Sequence, residues 1–560
     1  RAADAANFDW PTDLHPVVRR VLLNRDIRSA EELELKLDRL RPVGEFGSLD
    51  AAVELLGRHF GERIVIVGDF DADGATSTAL MTLCLSDLGF RNVSFFIPDR
   101  FELGYGLTPE VVDRVRDLEP RLIVTVDNGV TSIAGVGAAR DAGIDVLITD
   151  HHLPGDELPD ANAIVNPNLT GDPFDGKSLA GVGVAFYLLA ALGKSMGAPT
   201  RVAEYLDLVA LGTIADLVPL DHSNRILVEE GLRRIRAGRC RPGLRALCEV
   251  SAVATRDVTG ETLAFQIAPR LNAAGRLDDM TVGVRCLTSS SDEEARALAA
   301  RLDALNRERR TIEQRMKREA AELVDAEELL GDLGLPPVVC LHREDWHEGI
   351  VGLVASRIKD RCHRPVFAFA KSGGGLLKGS GRSIPGFHLR DALAEIDAVS
   401  PGLIERFGGH AMAAGLTLED DNLEAFRLAI EALGEARLGP EHLAQRILTD
   451  GELGAHELTV EVAESLRDAG PWGQAFPEPV FEGRFELVRQ RIVGEKHLKM
   501  TLKLPDAQEK FDAIAFNRLP GDWLEGDVLR LVYRLAVNDY HYGPPVQLII
   551  EHIEAPSIER

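Results

Sequence analysis

The chain has 560 residues, 45% of them hydrophobic and 27% charged, with a formal net charge of -26. That length exceeds the roughly 250 to 300 residues at which single cores stop growing, so two or three domains are expected, of ordinary globular composition. The acidic total argues against a polyanionic partner, although contact with phosphate depends on local charge. The opening RAADAANFDW lacks a basic start followed by an apolar core, and no apolar run approaches the roughly 20 residues of a membrane span. Arg1 stands where a reading frame would begin with Met, so the numbering is expected to start inside a longer one or at a trimmed end. Cys84, Cys240, Cys248, Cys286, Cys340 and Cys362 are scattered without a Cys-x-x-Cys pair. A disulfide framework or thiolate zinc site is therefore not expected, and a reducing cytoplasm is.

In chain order, residues 1–50 read as a polar helical segment. From residue 64 apolar runs alternate with helix-length stretches: IVIVGDF, VSFFIP, RLIVTVD and DVLITD are each expected to be a parallel strand covered on both faces. Residues 179–218 read as helices packed on that core, and 51–291 as one catalytic domain. SDEEARALAARLDALNRERRTIEQRMKREAAELVDAEELLG has a Ser-Asp start, no Pro and Gly331 at its end, which predicts one long connecting helix over 292–331. A second α/β unit follows over 332–440, with strands at 338–342 and 365–370 and helices near 349–360 and 388–398. Over 441–560 five strand-like runs between turn residues predict a small β-barrel of the oligonucleotide-binding kind.

Three stretches depart from the acidic balance. Residues 301–318 hold seven basic and three acidic residues, 225–245 seven and two, and 488–503 five Lys or Arg against one Glu. Each could be a solvated face, but together they keep nucleic acid open as a partner.

The strand ends carry the chemistry. GDFDADG places Asp69, Asp71 and Asp73 after the first strand, Asp127 ends the third, Asp150 with His151 and His152 ends the fourth, and Asp216 follows a helix. A parallel sheet delivers such residues to its carboxyl edge. A lone aspartate there is usually a helix cap or turn residue. Several strand ends plus a His-His pair are not explained that way, and clustered carboxylates call for cations. Carboxylates with imidazole suit Mn²⁺ or Mg²⁺ better than zinc, and a divalent pair clamps the attacking and leaving oxygens of a displacement at phosphorus. Metal-assisted phosphoester hydrolysis is the expected reaction.

GDFDADG, VDNG, DHH and GTIADLVP, in this order, resemble the motifs of the DHH phosphoesterase superfamily. NPN at 166–168, LAGVGVAF at 179–186 and APRLNAAGRLDD at 268–279 resemble the bacterial RecJ exonuclease family within it. HEGIVGLVASRI (347–358), KGSGRS (378–383) and FGGHAMAAG (407–415) look like the accompanying DHHA1 domain. The resemblance implies one cation on Asp69, Asp71 and Asp127 and another on Asp73, Asp127, His151 and Asp216, bridged by Asp127. It implies that His152 faces the scissile phosphate while Asp150 orients the histidines. Val67 stands where pyrophosphatases of the superfamily carry histidine, and Asp69 is expected to replace that ligand.

For the substrate phosphates, glycines in KSGGGLLKGSGRSIPG (371–386) leave room for an oxyanion beside Ser380, Arg382 and Ser383, unless the stretch is a plain hairpin turn. His410, Arg270, Asn272, Arg276 and Arg100 are further phosphate-grip candidates, and Tyr105 a base-stacking one. The family implies a monomeric exonuclease removing mononucleotides from single-stranded DNA in the 5′ to 3′ direction, in repair and recombination, fed by a helicase and a single-strand-binding protein. A superfamily enzyme for oligoribonucleotides, cyclic dinucleotides or pyrophosphate is the rival; such enzymes usually lack a third domain. A non-catalytic binding protein would be expected to have lost ligands that this chain retains.

Overall fold

A computed structural model describes residues 10–100, 102–330, 335–505, 507–521, 523–538 and 544–554. The chain folds into two compact units, one of residues 1–271, 279–300 and 448–560, the other of 272–278 and 301–447.

The first unit holds a five-stranded parallel sheet. Its strands are β1 (Ile64–Gly68), β2 (Val93–Phe96), β3 (Leu122–Val126), β4 (Asp145–Thr149) and β5 (Ala163–Val165), in the order β2-β1-β3-β4-β5. β1 and β3 are buried at every position, which their unbroken apolar runs require in a sheet covered on both faces. The helices up to Ala215 are α1 (Pro16–Leu23), α2 (Leu49–Arg58), α3 (Ala72–Asp87), α4 (Pro109–Arg116), α5 (Ile133–Asp141), α6 (Gly181–Ser195) and α7 (Leu206–Ala215). α4 begins with Thr108 accepting from Val111 N and Pro109 at its first position. Its Val111, Val112 and Val115 pack with Val136 and Ala139 of α5 on Val65, Ile123 and Val146 of the sheet. The chain reverses its order across β1 and β3, and this switch point is where open sheets of this order bind ligands.

The second unit carries a mixed sheet of β6 (Val339–His342), β7 (Val366–Ser372), β8 (Leu376–Arg382), β9 (Arg406–Gly409) and β10 (Ala413–Glu419), ordered β6-β7-β8-β10-β9. Here the expectation of a glycine-rich phosphate loop over 371–386 is corrected. Residues 376–382 of that stretch form β8, hydrogen-bonded on both sides, and its glycines at positive φ are Gly374 and Gly375 in the turn between β7 and β8 and Gly386 beyond β8. The reason is packing: a Cβ on Gly379 would lie 2.4 Å from the Phe369 ring, and one on Gly381 would lie 2.6 Å from that of Phe367. The helix Asp292–Leu330 runs unbroken for 39 residues, while its expected stop, Gly331, lies outside the described residues.

The last region of the first unit is a closed barrel of β11 (Phe481–Val493), β12 (His497–Lys503), β13 (Lys510–Ala515), β14 (Val528–Val537) and β15 (Val546–Glu554), in the order β11-β12-β13-β15-β14. Alternate residues fill it, among them Phe481, Phe485, Leu487, Met500, Phe511 and Tyr533. Before β1 the described residues form α1, α2 and three short 3₁₀ turns, less helix than expected, and residues 1–9 of that segment lie outside the description. No helix among the described residues is long and apolar enough to cross a membrane.

Candidate metal centre

Each acidic side chain is placed by the end of a regular element. After β1, Asp69 Oδ1 accepts from Phe70 N at 2.7 Å. Asp71 caps α3, its Oδ1 accepting from Asp73 N and Gly74 N at 3.0 Å each. The cap reading of a strand-end aspartate thus holds for one oxygen of Asp71 and leaves the other available. Asp73, in the first turn of α3, accepts from Gly181 N at 2.6 Å and Val182 N at 3.0 Å, so the N-terminus of α6 is aimed at its carboxylate. Asp127 follows β3 with φ +61°, and a Cβ on Gly181 would stand 2.7 Å from its carboxylate. His151 comes from the loop after β4 and Asp216 from the C-cap of α7.

These parts meet. His151 Nε2 lies 3.1 Å from Asp127 Oδ1 and 3.5 Å from Asp216 Oδ2. Ligand atoms lie within 4.8 Å of one another in three sets: Asp69, Asp71 and Asp127; Asp73, His151 and Asp216; Asp127, His151 and His152. Burial, then the Asp71 charge, pushes Asp69 well above the usual carboxylate range and Asp73 up to about 7. Burial, then Asp73, likewise raises Asp127 and Asp216. Asp127 Oδ1 is buried without a hydrogen-bond partner among the described residues. A buried oxygen without a donor, among four carboxylates whose ionisation is opposed, fits divalent cations, and the oxygen-rich set with one imidazole fits Mn²⁺ or Mg²⁺.

Asp150 behaves differently. Burial opposes its ionisation, but the His152 hydrogen bond and charge, with Val130 N, hold it below the usual range. Its Oδ1 lies 2.8 Å from His152 Nδ1, and this contact outweighs burial in holding the imidazole above its ordinary value. Tyr105 Oη donates to Asp127 O at 3.2 Å and lies 3.3 Å from His152 Nδ1, leaving the ring 45% exposed. Arg100 stacks its guanidinium 4.6 Å over the Phe70 ring, and its charge favours the ionised form of Asp69. Arg270 is buried, with its guanidinium on Gln266 O.

The other strand-contact candidates belong to the second unit. Arg382 Nη1 donates to Ser380 Oγ at 3.0 Å, and a Cβ on Gly352 would crowd both side chains. Ser383 is buried, its hydroxyl donating to Phe387 O at 2.6 Å. Arg276 donates to Gly349 O at 3.1 Å, Asn272 shares its helix, and His410 is exposed at the turn between β9 and β10. Of the basic stretches, 225–245 has Arg233, Arg236, Arg241 and Arg245 in ion pairs and 301–318 has Arg301, Arg307, Arg309 and Arg315. The barrel stretch pairs Lys499 with Asp512 and Lys503 with Glu486 but exposes Arg489, Arg491 and Lys496.

Residue-by-residue reading missed Asn128, whose Nδ2 bridges Val67 O and Val126 O at the ends of β1 and β3, and the asparagines of NPN. It also missed the hold of Gly181 on Asp73. The NPN and LAGVGVAF motifs marked two of these places without indicating what the residues touch.

Comparison with known proteins accords with this geometry. The "DHH family, N-terminal domain" matches residues 63–213, the "DHHA1 domain" 336–435 and the "RecJ OB domain" 449–552. The single-stranded-DNA-specific exonuclease RecJ of Salmonella typhimurium is 51% identical over 559 residues, and that of Escherichia coli 50% over 560, each match covering 97% of both chains. The crystal structure of RecJ in complex with Mn²⁺ from Thermus thermophilus superposes with a TM-score of 0.82 at 32% identity, covering 97% of this chain and 76% of that one. The corresponding Mg²⁺ complex gives 0.76 at 30% identity, covering 97% and 75%. With all three regions matched in order and half of the residues identical over nearly the full length, the chain belongs to the RecJ family.

Proposed function

We propose that this chain is a divalent-cation-dependent exonuclease that removes mononucleotides from single-stranded DNA, starting at the 5′ end. The observation that carries the reading is the convergence of Asp69, Asp71, Asp73, Asp127, His151 and Asp216 on the switch point of the sheet. Membership of the RecJ family supplies the polymer. The closed barrel in the same unit, with Arg489, Arg491 and Lys496 exposed, supports a long single strand over a dinucleotide.

In this reading Asp69, Asp71 and Asp127 hold one cation, and Asp73, Asp127, His151 and Asp216 the other. Cations bound there supply Lewis-acid polarisation of the phosphoryl oxygens and make the attacking water acidic at neutral pH. The residues do the rest. The Asp150 hydrogen bond and charge favour the protonated form of His152, and an imidazolium facing the phosphate would stabilise the charge that builds on it. Tyr105 Oη, 3.3 Å from the same ring nitrogen, adds a second contact that limits the swing of the ring. Arg100, Arg270, Asn272, Arg276, Ser380, Arg382, Ser383 and His410 are assigned to the strand's path, Arg270 and Ser383 by holding backbone in shape and the others through contact with phosphate. Action as a monomer in the cytoplasm, supplied by a helicase and a single-strand-binding protein, belongs to the same reading; a dimer in sedimentation at working concentration would remove the monomer.

The deciding experiment incubates 5′-labelled and 3′-labelled single strands, and the matching duplex, with the protein and Mn²⁺. Release of labelled mononucleotide at once from the 5′ label alone is expected, with the duplex spared. Early release from the 3′ label would overturn the polarity, and attack confined to short oligoribonucleotides would overturn the substrate.

A further inference from the structure

β4 and β5 run parallel with Thr149 paired to Val165, so the loops that begin at Asp150 and Asn166 leave the sheet side by side. Asn166 is completely buried. Its Oδ1 accepts from Asn168 N at 2.8 Å, and its Nδ2 donates to His152 O at 2.8 Å. A backbone N–H can only donate, so the amide is oriented with its nitrogen toward His152. Asn168 in turn donates from Nδ2 to His151 O at 2.6 Å. Between them, Pro167 O accepts from Lys177 Nζ at 2.5 Å, which pins the turn. From the opposite side Asp150 Oδ1 accepts from His151 N at 2.8 Å and His152 N at 3.0 Å. The backbone of both histidines is thus gripped on its N–H side by a carboxylate and on its C=O side by two amides.

We infer that Asn166 and Asn168 are positioning residues with separate duties. Asn168 sets the pitch of His151 and so governs cation binding, while Asn166 sets the pitch of His152 and so governs turnover. The inference rests on the assignment of His151 as a cation ligand. A ligand ring reaches its cation at the end of a lever, so a small rotation of its peptide displaces Nε2 by more, and partners outside the ligands commonly account for about 10- to 100-fold in affinity.

Two isosteric substitutions separate the duties. In Asn168→Asp an acceptor faces His151 O in place of the donor. In Asn166→Asp one oxygen can still accept from Asn168 N, and only the donor to His152 O is lost. Mn²⁺ binding to the metal-free full chain is measured by titration calorimetry, alongside kcat at saturating Mn²⁺, with Asn168→Ala to remove the donor without adding charge and His151→Ala as reference. A crossed pattern is expected. Both Asn168 variants weaken Mn²⁺ binding about tenfold or more with the smaller loss in kcat, and Asn166→Asp lowers kcat about tenfold or more with the smaller change in Mn²⁺ binding. Asn168 variants that melt earlier yet bind Mn²⁺ as tightly as the parent, beside a weakened His151→Ala, would reduce the asparagines to structural parts and overturn the inference alone. His151→Ala with parental Mn²⁺ affinity would overturn the ligand assignment beneath it.

Discussion

Asp127 answers to several demands at once. Its backbone is in the left-handed region at φ +61°, a conformation that costs about 1 to 3 kcal/mol in a residue with a side chain, and its carboxylate is buried against Asp73 and Asp71. Strain and charge are both tolerable if cations are the intended partners. Asp127→Asn is therefore expected to lower kcat by at least about a hundredfold, the scale of losing one electrostatic contact in the transition state, while raising the melting temperature of the metal-free protein. Loss of activity together with a lower melting temperature would contradict this. Asp73 gives the pH dependence. Its carboxyl is raised from 3.8 to about 7 by burial and by Asp71. The folded state thus holds this proton more tightly than the unfolded one, and the stabilising contribution, complete below about pH 3.8, is lost as pH rises through about 7. Cations replace that proton. Thermal melts with chelator and with Mn²⁺ should accordingly diverge as pH rises from about 5.5 to about 8, and Asp73→Asn should narrow the gap; parallel melts across that range would contradict the sign.

At the scale of elements, two glycines are fixed by what lies against them. Gly181 opens α6 against Asp127, and Gly379 lies in β8 under Phe369. Gly181→Ala suits the helix, which offsets part of the crowding against Asp127, so the larger effect should fall on the centre: Mn²⁺ affinity down by about tenfold with the smaller loss in melting temperature. Gly379→Ala should do the reverse, destabilising the second unit by about 1 to 3 kcal/mol through overpacking, seen in denaturant titration, with Mn²⁺ affinity intact. Either result exchanged for the other would mean that the two glycines had been assigned the wrong work. The β8 glycines also show where pattern reading stops. A run of Gly, Ser and Lys reads as a loop because those residues are depleted in strands, and only the facing Phe367 and Phe369 rings make glycine the residue that fits.

In the whole molecule, the segment after α1 is tied to the stretch that leads into the barrel, where Asp450 Oδ2 also accepts from Val480 N beside β11 at 3.2 Å. Arg25 binds Asp450 through both guanidinium nitrogens at 2.9 and 3.0 Å, Asn24 Nδ2 adds a bond to Asp450 at 2.9 Å, and both charged side chains are buried. Arg25 also lies 5.1 Å over the Trp472 ring. Removing one partner from such a pair leaves an uncompensated buried charge and costs about 3 to 5 kcal/mol. Arg25→Ala is thus expected to make the barrel strands exchange amide protons faster than β1 and β3, read by hydrogen exchange, with Mn²⁺ affinity retained. Uniform acceleration over the first unit would show that the clamp holds more than the barrel. Long segments 448–560 and 1–271 sharing one unit could not be foreseen from the chain, because the residues that join them, such as Arg25 and Asp450, are 425 positions apart and individually ordinary.

By itself the sequence determined the α/β alternation, the long helix, the five barrel strands and the aspartates at strand ends. All of these rest on short-range periodicity, capping and spacing, which survive without knowledge of neighbours. Only the tertiary structure decided how the ligands are held. Asp73 is met by α6, 108 residues away, and the histidine backbone is held by Asn166 and Asn168. Hydrogen bonds of that kind depend on which strands lie side by side, and parallel sheet order is set by long-range packing that no local window of residues contains.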